Sequence, residues 1–131
     1  IGLPKMNTYP NFVRWLSKVV DWDIGIIPLR PDRFNSAKSH LKFLEYAAAG
    51  LAIVCSDNPE YRRVARHEHN CLMVENTTSA WLGALLRLIQ DPPLRKRIAH
   101  QALLDVLDRS TVQVNHNTYS KILTFAEQES F

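Results

Sequence analysis

This sequence lacks long apolar runs, a strong excess of charge of one sign, internal repeats and low-complexity tracts. No stretch of its 131 residues approaches the ~20 apolar residues that a membrane-spanning helix needs, and no signal peptide is recognisable at its start. Basic and acidic side chains nearly balance, because 16 Lys and Arg stand against 13 Asp and Glu for a formal net charge of +3. These absences argue against a membrane-spanning or repetitive chain and favour one globular domain.

The basic residues do not form a patch of the kind that binds nucleic acid. Their densest groups, at 62–66 and 95–97, fall on predicted amphipathic helices, where a solvated helix face is the usual explanation. We therefore expect no nucleic-acid partner. The small positive charge still permits an anionic ligand such as a phosphate.

Cysteine is also scarce, and Cys55 and Cys71 have neither the spacing of a metal site nor the density of a disulfide framework. Both lie in apolar, strand-like runs, where a small buried thiol is common. His67, Glu68 and His69 invite a metal interpretation, but neighbours in a predicted loop point in different directions and no third ligand is evident. We expect no metal site and a reducing, cytoplasmic setting.

Short apolar segments alternate with helical patterns along the chain. Runs that are apolar throughout, at 24–29, 51–55 and 70–74, are typical of a parallel sheet covered on both faces. The sequence therefore predicts a three-layer, Rossmann-like α/β fold in a single domain over 1–131, with 109–131 as a C-terminal helical tail. The predicted helices cover about 8–19, 37–49, 59–64, 78–90, 93–108 and 112–127.

One loop and the helix after it carry residues suited to a phosphate. Ligands of open parallel sheets bind outside the carboxyl ends of the strands, and the loop from Leu29 to Ser39 lies at such an end. We predict a helix that begins near Ala37, so that free backbone N–H groups and the positive end of the helix dipole favour a phosphate there. Ser36, Lys38 and Ser39 add two hydroxyl donors and a cation.

The same predicted helix carries a carboxylate. Glu45 follows Lys38 by seven residues, almost two helical turns, with Lys42 between them on the same stripe. Because a carboxylate can accept two hydroxyl hydrogens, this arrangement is suited to a diphosphate and a ribose bound from one side. The alternative is a charged outer face on which Lys42 and Glu45 are paired. Spacing alone does not decide between them. Gly50 is expected to end the helix.

The segment 34–57, FNSAKSHLKFLEYAAAGLAIVCSD, resembles the donor-site signature of GT-B glycosyltransferases of the large retaining group 4. In those enzymes a strand ends in a proline, a loop runs into a helix carrying Glu, small residues and Gly, and another strand follows. The likeness extends to DIGIIPL at 23–29, to NCLMV at 70–74, and to the helices after them. It covers about residues 8 to 107.

The resemblance implies a glycosyltransferase of hexosyltransferase type that binds a nucleotide-diphosphate sugar and transfers the sugar to a glycan or lipid-linked acceptor. It implies that Glu45 binds the ribose hydroxyls and that Lys38, as the catalytic cation, stabilises the departing diphosphate. No obligatory metal or other cofactor is expected. The remaining donor-binding candidates are Ser36, Ala37, Ser39, His40 and Lys42, and candidates of lower weight are Asp57, Asn58 and Tyr61.

Two of these candidates keep a second interpretation. His40, on the first turn of the predicted helix, either approaches the ligand or is an ordinary surface histidine. Asp57 either touches the ligand or is the N-cap of the short helix begun at Pro59.

The sequence departs from the family pattern in two places. The family often has a second glutamate eight residues before the ribose-binding one, and Ala37 stands there. The basic pair that clamps the diphosphate, the first strand of the donor domain and the whole acceptor domain would precede Ile1. We therefore expect an N-terminally truncated donor-binding half that is inactive alone, that associates with itself through uncovered apolar surface, and that lies in the cytoplasm or at the membrane periphery when full-length.

Two other classes of function stay open beside the enzyme. A non-catalytic nucleotide or nucleotide-sugar binding module fits the short length and the missing basic pair. A receiver-type regulatory domain needs an acidic cluster after its first strand and a phosphorylatable Asp at a strand end, and the sequence shows neither. Asp108, Ser110 and His116 form no credible nucleophilic triad, and the Gly-x-Ser-x-Gly elbow of hydrolases is absent.

Overall fold

The structure is a computed structural model that describes residues 21–109. Within that range the chain forms three strands, four α-helices and one 3₁₀ turn. In chain order they are β1 (Ile24–Ile27), α1 (Arg33–Ser36), α2 (Leu41–Ala48), β2 (Ala52–Ser56), the 3₁₀ turn (Tyr61–Arg63), β3 (Leu72–Val74), α3 (Thr78–Gln90) and α4 (Pro92–Arg109). The helix predicted at 8–19 and the tail helix predicted at 112–127 lie outside the described residues.

The three strands form one parallel sheet in the order β1-β2-β3. Strand β1 pairs with β2 from Ile24 opposite Ala52 to Ile27 opposite Cys55, and β2 continues the sheet by placing Val54 opposite Leu72 of β3. Parallel neighbours need a crossover connection, which α1 and α2 supply between β1 and β2. The predicted class, a parallel α/β sheet with helices on both faces, is confirmed.

Each face of the sheet is covered by a different helix. On one face, Phe43 and Ala47 of α2 pack with Ile53 in a cluster that also contains both cysteines. On the other face, Ala84 and Leu88 of α3 pack with strand residues in a second cluster. Full burial of one such leucine stabilises the fold by about 1.5–3 kcal/mol, so these two clusters hold the layers together.

Helix α4 joins the two clusters, because Ile98 belongs to one and Ala102 to the other, both at 0% exposure. Cys55 and Cys71 are both free and buried, as expected from their apolar surroundings. Helix α3 has the predicted bounds, and its first turn is capped by Thr77, whose side chain accepts a hydrogen bond from the Ala80 N–H at 3.2 Å.

The helix predicted from Ala37 is the main difference between sequence and structure. Asp32 caps the short helix α1 instead, because its carboxylate accepts hydrogen bonds from the N–H and the side-chain amide of Asn35 at 2.8 and 2.9 Å. A turn follows α1, and α2 begins only at Leu41. The helix ends as predicted, because Gly50 has the positive φ of 76° that suits glycine after a helix.

Candidate functional site

An open cleft of about 380 Å³ lies between the carboxyl end of β1 and helix α2. This is the edge at which open parallel sheets bind their ligands. The polar part of its lining is Lys38, Ser39, Lys42 and Glu45, and the remainder is mainly apolar and aromatic, with Ile26, Ile27, Pro28, Leu29, Leu41, Tyr46 and Tyr61. Two cations and one carboxylate therefore share the lining of one largely apolar cleft.

Lys42 and Glu45 form an ion pair on the cleft wall, with Nζ 3.3 Å from Oε2. The pairing agrees with the alternative drawn from spacing, but the two side chains do not form an outer face. The Glu45 side chain is only 8% exposed, against 45% for Lys42, and both line the cleft. A carboxylate has room for about four hydrogen bonds, so Glu45 can accept further donors while it stays paired.

Lys38 stands at the other end of the polar lining, between α1 and α2. Its Nζ lies 5.7 Å from the centroid of the exposed Phe34 ring, within the range of a cation–π contact. Its backbone N–H donates to the Asn35 carbonyl at 3.2 Å. This bond holds the backbone of Lys38 in the turn after α1. The exposed ammonium group of Lys38 can therefore reach a ligand in the cleft.

Three of the predicted donor-binding residues lie outside the cleft lining, namely Ser36, Ala37 and His40. Ser36 donates from its hydroxyl to the Asp32 carbonyl at 2.8 Å, and the Ala37 N–H donates to the Phe34 carbonyl at 3.3 Å. The backbone N–H groups of Ala37 and Lys38 are therefore engaged within the turn and do not open a helix, because the helix starts four residues later than the pattern predicted.

His40 occupies the N-cap position of α2 but gives the helix no side-chain cap. Its Nδ1 is buried and has no hydrogen-bond partner among residues 21–109. The first turn of a helix leaves backbone N–H groups without partners inside the helix, and the side chain of His40 accepts no hydrogen bond from them. The amino end of α2 faces the part of the cleft that Ser39 and Leu41 line.

The turn after β2 holds the three candidates of lower weight. Tyr61 lines the cleft and is 2% exposed, and this burial raises the pKa of its phenol, so the group is protonated at neutral pH. Asn58 is buried and binds the backbone, because its amide donates to the Asn35 carbonyl at 3.0 Å and its oxygen accepts from the Glu60 N–H at 2.9 Å.

Asp57 is not the N-cap predicted from sequence, since Asn58 accepts the hydrogen bond that a cap would take. Its carboxylate instead accepts two hydrogen bonds of 2.6 Å from the guanidinium of Arg62. These bonds hold the pKa of Asp57 below its ordinary value. Asp57 and Asn58 both lie outside the cleft lining, so of this group Tyr61 alone faces the cleft.

Sequence reasoning missed three residues that shape the cleft, namely Asn76, Tyr46 and Gly25. Asn76 follows β3 and bonds to the end of β1 through the Leu29 carbonyl. Tyr46 forms part of the cleft wall and packs against Gly25 of β1. The signal for Asn76 was its position after a strand at the carboxyl edge of the sheet, whereas the contact between Tyr46 and Gly25 has no signature in local spacing.

A second, wider cleft of about 690 Å³ lies on the other side of Pro28 and Leu29. Trp81, Leu82 and Leu85 of α3 give it an apolar floor, and Arg30 is the charged residue in its lining. None of its described lining residues is a carboxylate. Of these two clefts, the one beside α2 therefore combines cations with a carboxylate that can accept hydrogen bonds from hydroxyl groups.

Within residues 21–109, no group of three or more His, Cys, Asp or Glu side chains is placed to hold a metal ion. The described helices are also too short or too polar to cross a membrane.

A parallel sheet with helices on both faces and a charged cleft at its carboxyl edge defines an open α/β domain, and ligands of such sheets bind at that edge. The family model described as "Glycosyl transferases group 1" matches residues 11–91, more than half of the chain. This protein therefore belongs to the glycosyl transferase group 1 family.

A solved structure and a curated protein resemble the chain. The fold matches the crystal structure of the C-terminal domain of a glycosyl transferase group 1 family protein, LpcC, from Francisella tularensis, with a TM-score of 0.60 and 20% sequence identity over 86% of this chain and 53% of that one. The O-antigen biosynthesis protein RfbC of Myxococcus xanthus is 37% identical over 59 residues, which are 45% of this chain and 5% of RfbC.

The structural match agrees with the predicted α/β fold, and the matched structure is itself the C-terminal domain of its protein. The chain spans about half the length of the solved relative and a small part of the curated one.

Proposed function

We propose that the cleft beside α2 binds a nucleotide-diphosphate sugar and that the chain serves as the donor-binding domain of a glycosyltransferase. The observation that carries this proposal is Glu45, a nearly buried carboxylate on the cleft wall with two cations in the same lining. A nucleotide sugar has complementary groups, since its ribose offers two hydroxyl donors and its diphosphate carries negative charge. Membership of a glycosyl transferase family supports the same ligand class.

In this proposal each charged side chain has one role. Glu45 accepts hydrogen bonds from the ribose hydroxyls and so orients the donor, which lowers the barrier by holding the reacting geometry. Lys38 stabilises the diphosphate as the bond between the sugar carbon and the phosphate oxygen breaks and negative charge develops on the leaving oxygen. Lys42 adds positive charge near the same diphosphate while it remains beside Glu45. Tyr61, protonated and buried, supplies a hydroxyl donor at the base of the cleft.

The acceptor, in this proposal, is a glycan or a lipid-linked sugar and is bound by a further domain. The transfer of a hexosyl group, a cytoplasmic location with peripheral contact at the membrane, and the inactivity of this chain alone belong to the same proposal. Helix α3 presents the exposed side chains of Leu82, Leu86 and Ile89, which are suited to contact with such a domain or with a second copy of the chain.

A calorimetric titration with UDP, GDP, ADP and their common sugar conjugates tests the proposal. We expect one base to be preferred and Lys38→Met to weaken its binding by about tenfold, because a charge-assisted hydrogen bond to phosphate is lost. Lys96→Met is the matched control, since Lys96 is exposed on α4 and lies outside the cleft lining. Failure of every nucleotide to bind, or equal losses in the two variants, would contradict a donor site in this cleft.

The alternative of a non-catalytic binding module draws support from Ala37, which stands where the resemblance expects a second glutamate. Both functions predict nucleotide binding, so turnover separates them. If the protein that contains this domain transfers or hydrolyses the bound sugar, the enzyme is supported. Tight binding with an intact donor after prolonged incubation supports the module.

A further inference from the structure

Gly25 lies inside strand β1, where glycine weakens a strand and usually marks a close approach to the backbone. The group that approaches it is the ring of Tyr46 on α2. A Cβ atom at Gly25 would lie 2.5 Å from Cδ2 and 3.0 Å from Cγ of that ring, well inside the usual carbon–carbon contact of about 3.5–4.0 Å. The ring therefore packs directly on the backbone of β1, and a side chain at residue 25 would displace it.

The same ring contacts the charged wall of the cleft. Lys42 Nζ lies 5.6 Å from the centroid of the Tyr46 ring, within the range of a cation–π contact. The ammonium group also lies 3.3 Å from Glu45 Oε2, and all three side chains line the cleft. The Lys42 ammonium group thus contacts an aromatic face and a carboxylate at the same time.

We propose that Gly25 and Tyr46 are positioning residues for the donor cleft. The ring, packed on Gly25, determines where the Lys42 ammonium stands relative to the Glu45 carboxylate. The inference rests on the proposed function, because a nucleotide sugar is the ligand that would meet these charges. Displacement of the ring moves the cation away from its present position and leaves the carboxylate without an ordered partner.

NMR of the Lys42 side chain tests the positioning role in the 131-residue chain without ligand. An aromatic face shifts nearby methylene protons upfield, and loss of signals in Lys42→Met identifies those of Lys42. We expect Gly25→Ala to move them toward ordinary lysine values and Tyr46→Leu to abolish the upfield shift. Gly83→Ala is the matched control, because a Cβ there meets nothing within 4 Å. Unmoved Lys42 signals in Gly25→Ala and Tyr46→Leu would overturn the proposal.

Nucleoside diphosphate affinity provides the second readout. A cation–π contact of this kind corresponds to about a two- to fivefold change in affinity, which we expect for Gly25→Ala and for Tyr46→Leu. The double variant should bind no more weakly than Tyr46→Leu, because without the ring the added methyl group displaces nothing. Additive losses would overturn the proposal.

Gly25→Ala could fail to fold, and the wild-type chain could fail to bind a nucleotide; both outcomes still test the proposal. If Gly25→Ala does not fold, Tyr46→Leu makes the same comparison alone, and unchanged Lys42 signals and affinity in it would refute the positioning role. A wild-type chain that binds no nucleotide refutes the proposed function, whereas the Lys42 signals still decide whether the ring on Gly25 positions the cation.

Discussion

The side chain of Asn76 donates a hydrogen bond to the backbone carbonyl of Leu29 at 2.5 Å, across 47 positions of sequence. Its amide oxygen accepts from Ser56 Oγ at 2.7 Å, and Ser56 Oγ accepts from the Leu29 N–H at 2.8 Å. Two side chains thus satisfy both backbone polar groups of Leu29. They hold the end of β1 where the wall of the cleft beside α2 begins.

We expect Asn76→Ala to lower the free energy of unfolding by about 1–3 kcal/mol, because it leaves the buried Ser56 hydroxyl and the Leu29 carbonyl without their partner. Urea denaturation measures the loss. Thr78→Ala, at the exposed start of α3, is the control and should change stability by no more than about 0.5 kcal/mol. Equal stability of the two variants would show that other contacts hold the end of β1.

Glu45→Gln should weaken nucleotide-sugar binding by about tenfold or more, because an amide replaces the charged acceptor of two ribose hydroxyls with a neutral group of the same shape. Calorimetry with the preferred nucleotide measures the change. Glu60→Gln is the matched control, since Glu60 pairs with Arg63 at 3.2 Å and lies outside the cleft lining. Unchanged affinity in Glu45→Gln would remove the ribose role from this residue.

Asp105 predicts a pH dependence of stability. Partial burial raises the pKa of Asp105. Hydrogen bonds from Gln101 at 2.9 Å and Asn70 at 2.7 Å, together with the nearby side chains of His69 and Arg66, outweigh that effect and leave the pKa below its ordinary value. A carboxylate with a depressed folded-state pKa stabilises the fold above the unfolded-state value, and the contribution disappears as the pH falls through the folded-state pKa.

Asp105→Asn should therefore lower the free energy of unfolding by about 1–3 kcal/mol near neutral pH. The difference in free energy of unfolding between wild type and variant should become smaller as the pH falls below about 3.8, the ordinary pKa of an aspartate. Urea denaturation across this range measures both quantities. Asp108→Asn, exposed on the same helix, is the control, and a difference that stays constant with pH would contradict the assignment.

At two backbone positions, the choice between glycine and alanine should change the stability of the chain in opposite directions. Glu68 has a φ of 59°, in the left-handed region where a Cβ is strained, so Glu68→Gly should be more stable than Glu68→Ala. Gly83 is in the interior of α3 with open space around it, so Gly83→Ala should stabilise the chain by about 0.5–1 kcal/mol. Denaturant midpoints compare the variants. A Glu68→Ala chain more stable than Glu68→Gly would contradict strain at that position.

Part of the candidate site could be predicted from local spacing. Spacing predicted that Lys38, Lys42 and Glu45 share one stripe of a helix. Lys38 instead lies in the turn before α2, yet all three side chains line one cleft in the structure. Their roles toward a ligand stay predictions, as do those of the other candidates. The predicted start of α2 was wrong by four residues, because Asp32 caps a separate short helix. The pattern around Ser36 gave no sign of that helix. That error placed the backbone N–H groups of Ala37 and Lys38 at a helix end where they do not lie.

The sequence by itself determined the places of the three strands, the stop at Gly50 and the bounds of α3, because caps, glycine conformation and hydrophobic period act between residues close in the chain. It missed α1, and the helix predicted at 59–64 is only the 3₁₀ turn Tyr61–Arg63. Only the tertiary structure decided that Glu45 is nearly buried beside Lys42, that Tyr46 packs on Gly25, and that Asn76 holds Leu29. The last two contacts join residues more than 20 positions apart, and the burial of Glu45 depends on which strand lies beside its helix. Packing of the sheet sets such contacts, and no local pattern encodes them.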